Sequence, residues 1–182
     1  MTASRKSTEV PVNAAQCNGE WLEVTPGERF RIRTPVDETN GIYTMLELVA
    51  DPRNGVPMHI HKNEEEHFIV LEGTMHIANG AETMDAPAGT AVTVSRGVPH
   101  AWCNLSDFPL RMLVVFSPGR IEGLFRATAA GRESVDVATL AEKYGTLLIG
   151  PAPFDGIYSI SSPRPRAALA RDDERRRTSA RA

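Results

Sequence analysis

The feature that most constrains this chain is a succession of short apolar or alternating runs between Trp21 and Val115, each cut off by turn residues. Candidate strands are Phe30–Thr34, Ile42–Val49, Met58–His61, His67–Leu71, Met75–Ala78, Ala91–Ser95, Ala101–Cys103 and Arg111–Phe116. The breakers between them include Asp51-Pro52-Arg53-Asn54-Gly55, Glu72-Gly73, Pro87-Ala88-Gly89 and Gly97-Val98-Pro99. Asn79-Gly80 is the sharpest hairpin signal, because both residue types tolerate the positive φ that a two-residue hairpin loop needs. Many short strands at this spacing predict an all-β sandwich, jelly roll or barrel.

The pattern changes after Ser117-Pro118-Gly119. Ile121–Ala129 reads as one short helix and Asp136–Tyr144 as another, the second with Val137, Leu140, Ala141 and Tyr144 on one face. Asp136 can cap its start and Gly145 its end. The expected organisation is a flexible segment over 1–19, a β-barrel over 20–118, a helical extension over 119–160 packed outside the barrel, and an Arg-rich disordered tail over 161–182. The chain has 182 residues and a net charge of −3, which favours one domain and no strong attraction to nucleic acid or to an anionic membrane. The last twenty residues hold +4 and leave −7 for the rest, but their acidic residues weaken any grip on nucleic acid. Two cysteines, Cys17 and Cys103, show neither metal-site spacing nor the density of a disulfide scaffold. The polar start has no apolar signal core, and no apolar run is long enough to span a bilayer. A cytoplasmic protein is the expectation.

The chemistry is concentrated in Met58-His59-Ile60-His61-Lys62-Asn63-Glu64-Glu65-Glu66-His67-Phe68. In a strand, His59 and His61 point to one face roughly 6.6 Å apart, close enough to bind one ion. A polar turn around Asn63 returns the chain, and Glu66 opens the next strand beside them. A fourth ligand must come from a neighbouring strand, and His100 follows the turn Gly97-Val98-Pro99. Three imidazoles and one carboxylate suit a single divalent transition ion: Fe, Ni, Mn, Co, Cu or Zn. In octahedral geometry such a set leaves positions open for water, dioxygen or a substrate.

These segments resemble the two motifs of the cupins. His59, His61, Glu66 and Gly73 match the first, a histidine pair followed by Glu and Gly. Gly89, Gly97, His100 and Asn104 match the second, with Ser95 where the pattern has a proline that shapes a turn. The six-residue gap to Gly73 selects Glu66 over Glu64 and Glu65. The run Leu110–Gly119 and the helices after it are similar to single-domain cupins of the quercetin-dioxygenase-like group. That resemblance implies a double-stranded β-helix, a jelly-roll barrel with short C-terminal helices outside. It also implies a metal at His59, His61, Glu66 and His100, a homodimer, and an oxygenase acting on a small enolised or aromatic substrate, with Glu66 as general base. A non-oxidative isomerase or decarboxylase and a non-catalytic ligand sensor are the alternatives.

Phe68, Trp102, Met45 and Val70 are the candidate substrate-pocket residues, with ordinary core packing as the competing reading. Trp102 leads, since alternation puts it on the face of His100. Glu47 reads as an outward rim residue in preference to a second cavity carboxylate. His67 and His76 lack partners at ligand spacing and read as surface or packing histidines, and Cys103 as an inert packed thiol.

Overall fold

The computed structural model describes residues 19–131 and 136–155. The Arg-rich tail, Cys17 and most of the N-terminal lead-in lie outside the described residues. Among the described residues, eleven strands form two antiparallel sheets. They are β1 (Leu22–Thr25), β2 (Glu28–Thr34), β3 (Thr44–Ala50), β4 (Met58–His61), β5 (Glu65–Glu72), β6 (Thr74–Asn79), β7 (Glu82–Pro87), β8 (Ala91–Val94), β9 (His100–Cys103), β10 (Leu110–Ser117) and β11 (Thr146–Gly150). One sheet runs β1-β2-β3-β10-β5-β8 and the other β11-β4-β9-β6-β7. Chain neighbours such as β4 and β5 lie in opposite sheets, so the chain crosses repeatedly between layers. This is a jelly-roll double-stranded β-helix, as expected.

Period-two alternation builds the core between the sheets. On β10, Leu110, Met112, Val114 and Phe116 are buried while the residues between them are half-buried. Phe30 and Ile32 of β2, Leu46 and Leu48 of β3, and Phe68 and Val70 of β5 face the same core. The predicted hairpin exists between β6 and β7, but Asn79 pairs with Glu82, so Gly80 and Ala81 form the loop. Gly80 takes the positive φ of 63° that the loop requires.

Three strands escaped the sequence pattern. β7 is exposed at Glu82, Thr83, Met84 and Asp85 and therefore shows no apolar alternation. β1 and β11 are short edge strands whose partners, β2 and β4, supply the pairing.

Two helices follow the barrel, α1 (Glu122–Gly131) and α2 (Val137–Lys143). Asp136 caps α2, its carboxylate accepting from Ala138 N, Thr139 N and Thr139 Oγ1. Gly145 follows with φ of 85°. Buried Glu122 anchors α1 to the barrel, accepting from Val36 N at 2.8 Å, Thr44 Oγ1 at 2.6 Å and Arg126 Nε at 2.8 Å. Both helices lie outside the two sheets, and α2 leads directly into β11. Among the described residues no helix is long and apolar enough to cross a membrane.

Candidate metal centre and its cavity

His59 and His61 alternate with the half-buried Met58 and Ile60, so β4 turns both imidazoles inward. Antiparallel pairing places His100 of β9 directly opposite His59. Glu66 approaches from the other sheet, on the inward row of β5 with Phe68 and Val70. All four side chains are buried, and their ligand atoms lie within 4.8 Å of one another. His59 Nε2 is 3.2 Å from His61 Nε2, His61 Nε2 is 3.2 Å from Glu66 Oε2, and His100 Nε2 is 2.8 Å from the same oxygen.

The hydrogen bonds behind the rings fix what they present to the centre. His59 Nδ1 lies 2.8 Å from Pro57 O and His100 Nδ1 lies 2.9 Å from Val98 O. A carbonyl can only accept, so both Nδ1 atoms carry hydrogen and a neutral ring turns its Nε2 lone pair inward. His61 Nδ1 is held at 2.9 Å by Thr146 Oγ1 of β11. Lone pairs and a carboxylate converging this closely repel unless protons or a cation lie between them. Burial, with His100 and His61 nearby, holds the His59 pKa down to about 3, so this ring is neutral near pH 7. Burial alone would raise Glu66, but hydrogen bonds from His100 and His61 outweigh it and hold the carboxyl well below its usual range. Burial likewise opposes the charged form of His100, yet its bond to Glu66 lifts its pKa. Without an ion, the Glu66–His100 contact thus favours a proton on the imidazole facing the carboxylate. Three buried imidazole nitrogens and one carboxylate oxygen fit a divalent transition ion in place of that proton.

The cluster opens into a cavity of about 90 Å³. Leu46, Leu48, Trp102 and Phe116 form part of its barrel wall. Leu124 and Phe125 of α1 and Val137 and Ala141 of α2 also line it, so the helices close the barrel mouth from outside. Of the four candidate pocket residues, Trp102 lines this cavity. Phe68 and Val70 lie deeper in the core, among the buried side chains but away from the cavity wall. Met45 is half-buried on the outer face of β3, because Leu46 and Leu48 take the inward positions.

Glu47 also faces outward, but it is buried rather than at a rim: Arg31, Arg33 and Arg111 all pair with its carboxylate. His67 pairs with Thr93, and His76 with Asp85, both away from the cluster. Cys103 is buried, and burial pushes its thiol up to about 12.

Among the cavity residues that the sequence did not single out are Glu28 and Thr146. Glu28 lines the cavity from β2, and the alternation Glu28-Arg29-Phe30-Arg31-Ile32 was the signal that could have found it. Thr146 carried no motif, since its role depends on β11 docking beside β4.

Residues 47–116 match a family model described as a cupin domain. Two solved structures superpose on much of the barrel. KdgF from a Halomonas species aligns at TM-score 0.52 and 18% identity, over 57% of this chain and 90% of that one. An RmlC-like cupin from Shewanella frigidimarina aligns at TM-score 0.51 and 18% identity, over 58% and 88%. The barrel has the cupin fold. A Streptomyces coelicolor protein of uncharacterized role is 41% identical to this chain over 58 residues, covering 32% of this chain and 53% of its own length. The chain spans about half or less of the curated relatives it matches, 53% of that one and 18% of another. The asparagine of the second motif, Asn104, is structural. Its side chain donates to Ala50 O and Phe108 O and accepts from Ser106, pinning the turn between β9 and β10.

Proposed function

We propose that this cupin is a metal-dependent enzyme acting on a small organic substrate that binds through two oxygen atoms. The observation carrying the reading is the junction of two features: a buried three-histidine, one-glutamate cluster and a partly open, mostly apolar cavity beside it. His59, His61 and His100 would hold the ion with Glu66. When bound, a divalent ion supplies Lewis acidity and open positions for substrate oxygens. Glu66 would accept a proton from an enol or hydroxyl delivered to the cluster. The apolar walls and the two helices exclude bulk water from that exchange.

The favoured reaction class is oxygenation of a small enolisable compound, in keeping with the resemblance to quercetin-dioxygenase-like cupins. A cavity of about 90 Å³ is far below the roughly 300 Å³ at which pockets begin to hold drug-sized ligands, which favours a compact diketone over a flavonol. A non-oxidative isomerase or decarboxylase is the second reading, favoured by Glu28, a further carboxyl in the same cavity. Metal analysis of protein purified without added metal comes first. Protein loaded separately with Fe, Ni, Mn, Co, Cu and Zn is then assayed with pentane-2,4-dione for oxygen uptake. Uptake with one of these metals supports the oxygenase. Turnover of small hydroxy or keto acids that is indifferent to oxygen replaces it with the second reading. Binding without turnover of either class would make the protein a ligand sensor.

A further inference from the structure

Strand β2 buries Glu28, Phe30 and Ile32 on its inward face. A carboxylic acid therefore occupies a position that the alternation reserves for an apolar side chain. Glu28 is 3% exposed and lines the same cavity as His59, His61 and Glu66. Among the described residues its hydrogen-bond partner is Thr25, whose Oγ1 donates at 3.3 Å, longer than an ordinary hydroxyl bond. No lysine or arginine is among the described residues that line the cavity. Glu47 provides the contrast within the same fold, a buried carboxylate surrounded by three arginines. An acid buried against apolar walls without a cation is costly, and an apolar side chain of similar volume would remove that cost. Burial, with a smaller push from the negative charge of Glu66, lifts the Glu28 carboxyl to about 7 even against the Thr25 bond. Near neutrality it can both donate and accept a hydrogen bond.

We infer that Glu28 is a substrate-binding residue, selecting small ligands that carry a hydroxyl or carbonyl on the part not held by the metal cluster. The inference rests on reading the cavity as the substrate site of a metal enzyme, and it adds what that substrate must carry. A ligand held by the cluster through two oxygens presents its remaining atoms to walls that are apolar apart from Thr128 and Thr146, and to this one acid. A hydroxyl there pairs with Glu28, whereas a methyl leaves the acid desolvated with nothing gained.

Glycerate and 2-hydroxybutyrate test this directly. They share the α-hydroxycarboxylate chelating group and differ in a terminal hydroxyl against a methyl. Full-length cobalt(II)-loaded protein is titrated with each, and binding is read from the visible absorption of the cobalt. The wild type is expected to bind glycerate at least about tenfold more tightly. Glu28→Met is expected to level or invert that preference, leave the ligand-free cobalt spectrum unchanged, and hold or raise Tm. Equal affinities in the wild type, or a preference that survives Glu28→Met, would overturn the assignment of Glu28 alone. Protein that takes up no cobalt, or whose cobalt responds to neither acid, would overturn the metal-enzyme reading as well.

Discussion

Replacing Glu47 by glutamine tests whether the outer face of the larger sheet is held by its buried charge. The carboxylate is 1% exposed and meets Arg31 Nη2 at 2.9 Å, Arg111 Nε at 2.7 Å, and Arg33. Glutamine keeps the shape but leaves three guanidinium groups facing a neutral amide. Removing one partner of a fully buried pair costs about 3–5 kcal/mol. The arginines here are 20%, 23% and 36% exposed and recover hydration, so the expected loss is smaller, about 2 kcal/mol. For a chain of this length that corresponds to a fall in Tm of roughly 4–8 °C.

The pH dependence provides a second check on Glu47. Burial alone would raise its pKa, but the hydrogen bonds from Arg111 and Arg31 outweigh it and lower the value below 4.5. A carboxyl depressed in the native state stabilises fully above its unfolded pKa and loses that contribution as pH falls through its native pKa. Urea denaturation of wild type and Glu47→Gln at pH 7, 5 and 3.5 should therefore show an equal gap at the first two values. Below 4.5 the gap should narrow, by up to about 1.4 kcal/mol for each pH unit. A variant as stable as wild type at pH 7, or a gap that is flat down to pH 3.5, would refute the reasoning.

His100→Ala should reduce bound metal about tenfold or more after dialysis, measured by elemental analysis, because it removes one of the four candidate ligands. Since Glu66 raises the His100 pKa, metal-free protein gains stability from this pair at acid pH and loses it as pH rises through the native value. Metal must displace that proton, so affinity should weaken as pH falls, and calorimetry in two buffers of different ionisation heat should register proton release. Thr146→Val should weaken metal binding by about 10–100-fold without unfolding the barrel, because His61 loses the hydroxyl that orients its ring. Native wild type and Cys103→Ser should react alike with a thiol reagent at pH 8, since the Cys103 thiol is buried and protonated there. Faster labelling of the wild type would show that the strand opens.

Much of the cluster was legible before any coordinates. His59 and His61 share a strand face by period two, and the resemblance to the cupin motif, through its gap to Gly73, separates Glu66 from Glu64 and Glu65. The strong strands were legible because one face of each is buried. β7 was not, because its exposed residues carry no alternation. The second helix was readable from Asp136, Gly145 and a four-residue apolar face, all local signals.

What surrounds the cluster is tertiary. Trp102 reaches the cavity while Phe68 and Val70 stay in the core, a distinction that strand alternation does not make because all three face inward. Met45 faces outward because the register of β3 against β2 and β10 turns Leu46 and Leu48 inward. Glu47 and Glu28 are both glutamates in strands; alternation puts Glu28 in phase with Phe30 and Ile32 and Glu47 out of phase with Leu46 and Leu48, but does not say what either meets. One lies on the outer face where arginines from two neighbouring strands converge, and the other faces a cavity that no cation lines among the described residues. Local spacing thus determined which side chains could gather round an ion. Only the packing of β2, β11 and the two helices decided what shares the cavity with them, because those neighbours are distant along the chain.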